Sequence, residues 1–137
     1  MLYRASRDSN VNTAFHSKCD NKGATIVVVK IADSEQIVGG YNPFSWDSSN
    51  KWKSTYDSFI FSFTNKNNLQ NAMVGYSKGD AYSIGGYTLH GPVFGYGCDL
   101  NLYCDAWSSN PSSSYPKLDI PVNFIANDYE VFQVIKK

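Results

Sequence analysis

The feature that most constrains the fold is a run of β-branched residues early in the chain. Residues 25–31 read Thr-Ile-Val-Val-Val-Lys-Ile, and a run of this kind is typical of a strand covered on both faces. A short polar loop at residues 32–35 follows, and residues 36–41 return as a second strand. The sequence therefore predicts a β-hairpin at residues 25–41.

Several other segments also have strand patterns. In residues 57–64 the side chains alternate, so that Phe59, Phe61 and Phe63 share one face while Ser62 lies on the other beside Ile60. The remaining strand candidates are residues 81–84, 93–94, 100–103 and 129–135. The chain is thus expected to contain several short strands.

One helix is predicted ahead of the hairpin. Val11, Ala14, Phe15 and Cys19 form a single apolar stripe at helical spacing. Asp8 or Asn10 is the expected N-terminal cap, and the segment ending at Gly23 gives a stop signal. Because the stripe is short, the helix requires packing against the rest of the domain.

Long polar connections separate the predicted strands, at residues 42–56, 64–80 and 105–119. Aromatic residues make up 15% of the chain, and they favour pleated surfaces. The prediction is one domain over residues 1–137, of the β-rich α+β class. Its architecture is a two-sheet antiparallel β-sandwich with one or two flanking helices.

Charge and cysteine content limit the function classes. Twelve basic and twelve acidic residues give a net charge of zero, which argues against nucleic acid as the main partner. No stretch is long and apolar enough to insert directly into a membrane. Three cysteines at irregular spacing, Cys19, Cys98 and Cys104, favour a reducing compartment and free thiols, so a cytoplasmic location is expected.

Cys19 is the candidate redox thiol. It lies three residues after His16 on the predicted helix, and a sensing thiol requires exposure and a lowered pKa. The alternative interpretation makes Cys19 a small buried hydrophobic residue and places His16 at the surface. The histidines and cysteines lack paired metal-ligand spacing, and the glycines of residues 91–97 lack the Lys-Ser/Thr of a phosphate loop. No metal, cofactor or catalytic residue is therefore predicted.

A second set of candidates consists of contact residues in or beside loops. The three tryptophans of this set, if clustered at the surface, would form a protein hot spot or a platform for stacking sugars. The alternative is that each tryptophan anchors its own loop, and that the lysine is simply solvated. The candidates are Trp46, Trp52, Lys53, Tyr96 and Trp107.

Taken in order, a set of segments resembles the TLDc domain of oxidation-resistance proteins. Nearly the whole chain takes part, and the ordered set is far more specific than any single piece. The segments are residues 2–8 (Leu-Tyr-Arg-Ala-Ser-Arg-Asp), 15–23, 37–41 (Ile-Val-Gly-Gly-Tyr), 45–46 (Ser-Trp), 52–53 (Trp-Lys), 57–62 (Asp-Ser-Phe-Ile-Phe-Ser), 91–95 with 99–100, and 130–134 (Glu-Val-Phe-Gln-Val).

The resemblance implies a two-sheet sandwich with flanking helices, as the residue pattern also predicts. It further implies a role in resistance to oxidative stress and interaction with subunits of the vacuolar-type proton pump. The family has no accepted catalytic triad or cofactor, and its domains often lie within larger multidomain proteins. A neighbouring domain and a peripheral position at an organelle membrane, reached through a partner, are therefore expected.

Two departures from the family pattern affect these expectations. Gly95-Tyr96-Gly97 stands where the family usually has consecutive glycines, so either Tyr96 has an unusual backbone conformation or the turn differs. The family domain also usually begins a few tens of residues earlier. The chain is thus expected to be either a truncated form or a lineage with a shortened domain.

Three functional hypotheses follow. The first is a non-catalytic protein-interaction domain that binds and regulates the vacuolar-type proton pump. The second is a redox-active or oxidant-sensing protein that uses Cys19, and the third is a glycan-binding, lectin-like sandwich that uses the tryptophan loops.

Overall fold

A computed structural model shows two antiparallel β-sheets, and it describes residues 1–64, 72–96, 99–103, 106–110 and 114–135. The first sheet contains six strands among these residues, each antiparallel to its neighbours. Across the sheet they are β1 (Tyr3–Arg4), β12 (Ala126–Gln133), β2 (Thr25–Ile31), β3 (Ile37–Asn42), β5 (Phe59–Phe63) and β6 (Met73–Tyr76). The last long strand of the chain therefore lies inside this sheet rather than at its edge.

The second sheet also contains six strands within the described ranges, again antiparallel. Its strands follow one another in chain order except for β4, which joins at the far edge. Across the sheet they are β11 (Asn123–Phe124), β10 (Ala106–Ser108), β9 (Leu100–Tyr103), β8 (His90–Phe94), β7 (Ile84–Gly86) and β4 (Lys51–Lys53). The predicted two-sheet antiparallel sandwich is confirmed.

Two short helices, α1 (Ala5–Asp8) and α2 (Asn12–Cys19), connect β1 to β2. The predicted side-chain cap of α2 is wrong: Val11 occupies that position, and no side-chain hydrogen bond caps the helix. Asp8 is engaged elsewhere, because its carboxylate accepts a hydrogen bond from the Arg4 backbone N–H and pairs with Arg7. Neither helix of the described part of the chain has the length and apolarity needed to cross a membrane.

The hydrophobic core lies between the two sheets. Phe94 of β8 projects towards β3, where Gly40 leaves room for its ring: a Cβ at Gly40 would lie 2.6 Å from the ring. Trp107 of β10 packs edge-on against Tyr129 of β12, with 5.3 Å between ring centroids. Aromatic side chains therefore bridge the sheets at both ends of the core, and the apolar area that they bury stabilises the sandwich.

The strongest sequence patterns match the observed strands. The hairpin β2–β3 forms as predicted, and Thr25, Val27, Val29 and Ile31 are buried on the inner face of β2. The expectation that β2 is covered on both faces is wrong. The side chains that alternate with these four buried residues lie on the outer face and are only half-buried.

Other predictions were misplaced. The strand expected at residues 81–84 begins only at Ile84, because the chain turns at residues 81–83. The connections predicted as loops contain β4, β6 and β10. These strands have three or four residues each, which is too short for a clear alternating pattern, and pairing with distant strands defines them.

Candidate functional site: an aromatic surface on the second sheet

The outer face of the second sheet carries aromatic side chains instead of the polar residues usual on a solvated sheet face. In β8 and β9 the register pairs His90 with Tyr103 and Val93 with Asn101, which places these four side chains on one face. Phe94, Leu100 and Leu102 point the other way and are buried in the core. Side chains alternate along β9, and a register shift between His90 and Val93 keeps these two residues on the same face of β8. The sheet therefore has an apolar inner face and an aromatic outer face.

Trp52 of β4 is the centre of the aromatic contacts. Its ring centroid lies 5.7 Å from that of Tyr82, 5.3 Å from that of Tyr87 and 5.8 Å from that of Tyr96. The rings of Tyr82 and Tyr96 are 5.0 Å apart. These separations and tilts are the ones that aromatic pairs prefer, so the rings support one another's positions.

The contacts continue along the sheet to a histidine. The Tyr87 ring lies 6.2 Å from the His90 ring, which in turn lies 4.8 Å from the ring of Tyr103. Together these side chains form one continuous group, called the aromatic surface below. It consists of Trp52, Tyr82, Tyr87, His90, Tyr96 and Tyr103.

Gly85 of β7 explains why Trp52 can lie flat on the sheet. It is paired directly with Trp52 across β4 and β7. A Cβ at position 85 would lie 2.8 Å from the Trp52 ring, closer than carbon atoms pack. The first glycine of the Gly85-Gly86-Tyr87 segment is thus required by the close approach of the indole.

A groove of about 260 Å³ opens within the aromatic surface. Val93 and Asn101 form its floor and are only 3% and 4% exposed, because the surrounding rings cover them. Among the residues that the structure describes, no Asp, Glu, Lys or Arg side chain lines it. The lining residues are Trp52, Tyr87, His90, Val93, Gly95, Tyr96 and Asn101.

His90 contributes a neutral imidazole to this groove. Its Nδ1 atom is buried and has no hydrogen-bond partner among the described residues. Burial lowers the pKa of the His90 side chain, because the charged ring loses hydration there. At pH 7 the lining side chains that the structure describes are therefore uncharged.

Two of the residues proposed from sequence, Trp52 and Tyr96, meet in the aromatic surface. Tyr96 is 64% exposed, and the positive φ of the turn falls on Gly95 rather than on Tyr96. The structure therefore places the unusual backbone conformation one residue earlier. Lys53 is not part of this surface, because its Nζ pairs with Asp47 at 2.8 Å and lies 5.6 Å from the centroid of the Phe44 ring.

The other two tryptophans do not reach the surface, so the expected cluster of three does not form. Trp46 and Trp107 are each 1% exposed. The Trp46 indole donates a hydrogen bond to Thr25 Oγ1 at 2.8 Å, and Trp107 stacks on Phe124. Both are anchors of the core, which removes them as contact residues for a partner.

Cys19 has neither property that a sensing thiol requires. Its side chain is fully buried, and desolvation raises the pKa of the Cys19 thiol to about 12. The thiolate, which is the reactive form, is therefore strongly disfavoured. Cys98 and Cys104, the other predicted free thiols, lie outside the described residues.

The predicted surface position of His16 is wrong, since this side chain is only 9% exposed. His16 Nδ1 lies 2.8 Å from Asp20 Oδ1, while Nε2 lies 2.9 Å from the Tyr87 carbonyl oxygen and 2.8 Å from that of His90. All three neighbours are oxygen atoms, and two of them belong to backbone carbonyl groups. His16 therefore ties α2 to the turn that carries Tyr87 and His90.

Sequence reasoning missed Tyr82, Tyr87, His90 and Tyr103 as members of the site. The pairing of His90 with Tyr103 depends on the register of two strands, which no local pattern indicates. The repeated Gly-Gly-Tyr at residues 39–41 and 85–87 was a usable signal, because its second copy marks the glycine beneath Trp52.

Among the described residues, no group of three or more His, Cys, Asp or Glu side chains is arranged to hold a metal ion.

A family model described as the TLDc domain matches residues 1–135, which is nearly the whole chain. Among curated proteins, the sequence has no significant match.

Proposed function

Because the chain belongs to the TLDc domain family, we propose that it is a non-catalytic protein-interaction domain that acts in resistance to oxidative stress. Its partner is the vacuolar-type proton pump, as the family resemblance implies, and its contact surface is the aromatic surface of the second sheet. The domain works in the cytoplasm, at organelle membranes that it reaches through this partner.

The observation that carries this proposal is the grouping of exposed aromatic side chains on a rigid sheet. Single exposed apolar residues are common on protein surfaces, but a contiguous aromatic group is characteristic of binding hot spots. Tyr82, Tyr96 and Tyr103 are 43%, 64% and 48% exposed although their rings pack on neighbours. Such side chains bury large areas on binding and lose little conformational entropy.

The domain regulates the pump because its affinity differs between the assembly states of the pump. A domain that binds one arrangement of the pump subunits more tightly than another shifts the pump towards that arrangement. No chemical step is needed for this effect. The rate of ATP hydrolysis by the pump then changes in proportion to the fraction of pump complexes that moves from one assembly state to the other.

The structure argues against the thiol alternative. Cys19, the last residue of α2, is buried and its thiol pKa is raised, so oxidant cannot reach a thiolate in the folded state. A sacrificial role for Cys19 would require local unfolding first. Binding is therefore the better explanation of protection against oxidants by this chain.

The test is a titration of purified vacuolar-type proton pump with the folded 137-residue chain, with the rate of ATP hydrolysis read in parallel. We expect saturable binding and a changed rate. Consumption of peroxide by the chain is measured alongside, with Cys19→Ser as the control. A folded chain that leaves pump binding and rate unchanged contradicts the proposal, and peroxide consumption that disappears in Cys19→Ser supports the thiol alternative instead.

A further inference from the structure

We infer that the groove of the aromatic surface binds a proline-rich segment of the partner in the polyproline II conformation. This inference rests on the proposed function, since it names the class of partner segment that the aromatic surface takes. The inference depends on three properties of the groove: the aromatic side chains of its lining, the lack of charge on its described lining residues, and the hydrogen-bond donor groups that these residues carry.

The lining is the first argument. Proline-rich segments dock in grooves lined by aromatic side chains, where the flat proline rings pack against indole and phenol rings. Here the ring contacts run from Tyr96 through Trp52, Tyr87 and His90 to Tyr103, with successive centroids 4.8–6.2 Å apart. They make a continuous apolar track on which an extended peptide lies without having to fold further.

The electrostatics of the groove select against charged ligands. Its described lining includes no charged side chain, so an anionic or cationic group would lose hydration there without gaining a counter-charge from these residues. A proline-rich segment is uncharged, and in this respect it complements the groove.

Hydrogen bonding gives the third argument. A polyproline II segment has no internal hydrogen bonds, so its carbonyl oxygens need donors from the surface that binds it. The lining residues Trp52, Tyr87 and Tyr96 carry donor groups of the required kind, an indole N–H and two phenol hydroxyls. Their ring edges combine an apolar face with a polar tip, which suits such a peptide.

A sugar fits the same groove less well. Carbohydrate hydroxyls need several polar side chains around the stacking ring, both donors and acceptors. Asn101 is the amide of the groove, but it is only 4% exposed and its Oδ1 already accepts a hydrogen bond from Ser108 at 2.8 Å. The described lining thus lacks the charged and additional amide side chains that would bind sugar hydroxyls from several sides, and it provides mainly stacking faces with the donors of Trp52, Tyr87 and Tyr96.

The experiment uses the full 137-residue chain and a nine-residue oligoproline peptide, with a Gly-Ser peptide of equal length as the control. Amide and indole NMR shifts are followed during titration, because they detect dissociation constants even in the millimolar range. We expect saturable shifts centred on Trp52, Tyr87 and Tyr96 with oligoproline and none with the Gly-Ser peptide. Tyr96→Ala is expected to weaken binding at least about tenfold.

Tyr56→Ala is the matched control, since Tyr56 is a 73% exposed tyrosine outside the aromatic surface. This variant is expected to bind oligoproline as tightly as the unmodified chain does. Equal weakening by Tyr56→Ala and Tyr96→Ala overturns the inference, because binding would then not depend on the groove. Absence of shifts at the groove up to millimolar oligoproline overturns it as well.

Three further outcomes separate this inference from a glycan site and from the proposed function. Groove shifts with neutral oligosaccharides and none with oligoproline overturn the inference in favour of a glycan site. Pump binding that is weakened by Tyr96→Ala but not displaced by oligoproline also overturns the inference, while the proposed function stands. Oligoproline binding at the groove by a chain that does not bind the pump supports the inference and contradicts the proposed partner.

Discussion

At the scale of single residues, the burial of Cys19 determines the reactivity of its thiol. Because its thiol is fully buried with a raised pKa, we predict that iodoacetamide does not modify Cys19 in the native chain at pH 8. Mass spectrometry of the peptide that contains Cys19 gives the extent of modification. Denatured chain is the control and should react completely, whereas rapid modification of native Cys19 would refute the burial.

The same environment predicts a loss of stability in alkali. The fold favours the protonated thiol, so its contribution is fully present below the ordinary pKa of 9.0 and is lost as the pH rises towards about 12. Burial also raises the pKa of Tyr3 and of Tyr115, which adds to the effect in the same direction. Urea denaturation at pH 8 and pH 11 should show a lower free energy of unfolding at pH 11, with a smaller difference in Cys19→Ala. An equal difference in both proteins would contradict the role of this thiol.

At the scale of secondary-structure elements, the pairing of β4 with β7 holds the aromatic surface together. Gly85→Ala places a Cβ against the Trp52 indole and is expected to displace that ring, with a loss of about 1–3 kcal/mol in stability. The indole NMR resonance of Trp52 and urea denaturation measure the two effects.

Gly23→Ala is the control for this substitution. Gly23 has a φ of 80° but open space around its Cβ position, so only backbone strain of about 1 kcal/mol is expected there. The Trp52 resonance should stay in place in this variant. An unchanged Trp52 resonance in Gly85→Ala would mean that the indole does not depend on the glycine.

The elements also show what sequence reasoning can and cannot predict. The hairpin of β2 and β3 and the shared face of Phe59, Phe61 and Phe63 were predictable, because successive side chains of a strand point to opposite faces. The aromatic surface was only half predictable. Trp52 and Tyr96 stood out as loop aromatics, but the convergence of His90 with Tyr103 depends on register, and the burial of Trp46 and Trp107 depends on packing between the sheets.

At the scale of the whole molecule, β12 joins distant parts of the chain. It lies between β1 and β2, so the first sheet is complete only when residues near both ends of the chain are paired. Val131 at its centre is fully buried, and Val131→Ala is expected to lower the free energy of unfolding by about 2 kcal/mol. The loss should appear as a shift of one cooperative transition in urea.

Ile135→Ala provides the matched comparison, because Ile135 follows the same strand and is 75% exposed. Its removal is expected to change stability by less than about 0.5 kcal/mol. A similar loss in both variants would show that β12 does not occupy the interior position described above.

The central claim is that this domain acts by binding through the aromatic surface of its second sheet. The most direct test is the dissociation constant for purified vacuolar-type proton pump, compared among the unmodified chain, the Tyr82→Ala/Tyr96→Ala double variant and Tyr56→Ala. We predict that the double variant binds at least about tenfold more weakly with unchanged folding, while Tyr56→Ala binds normally. Equal affinity of all three chains for the pump would contradict the claim.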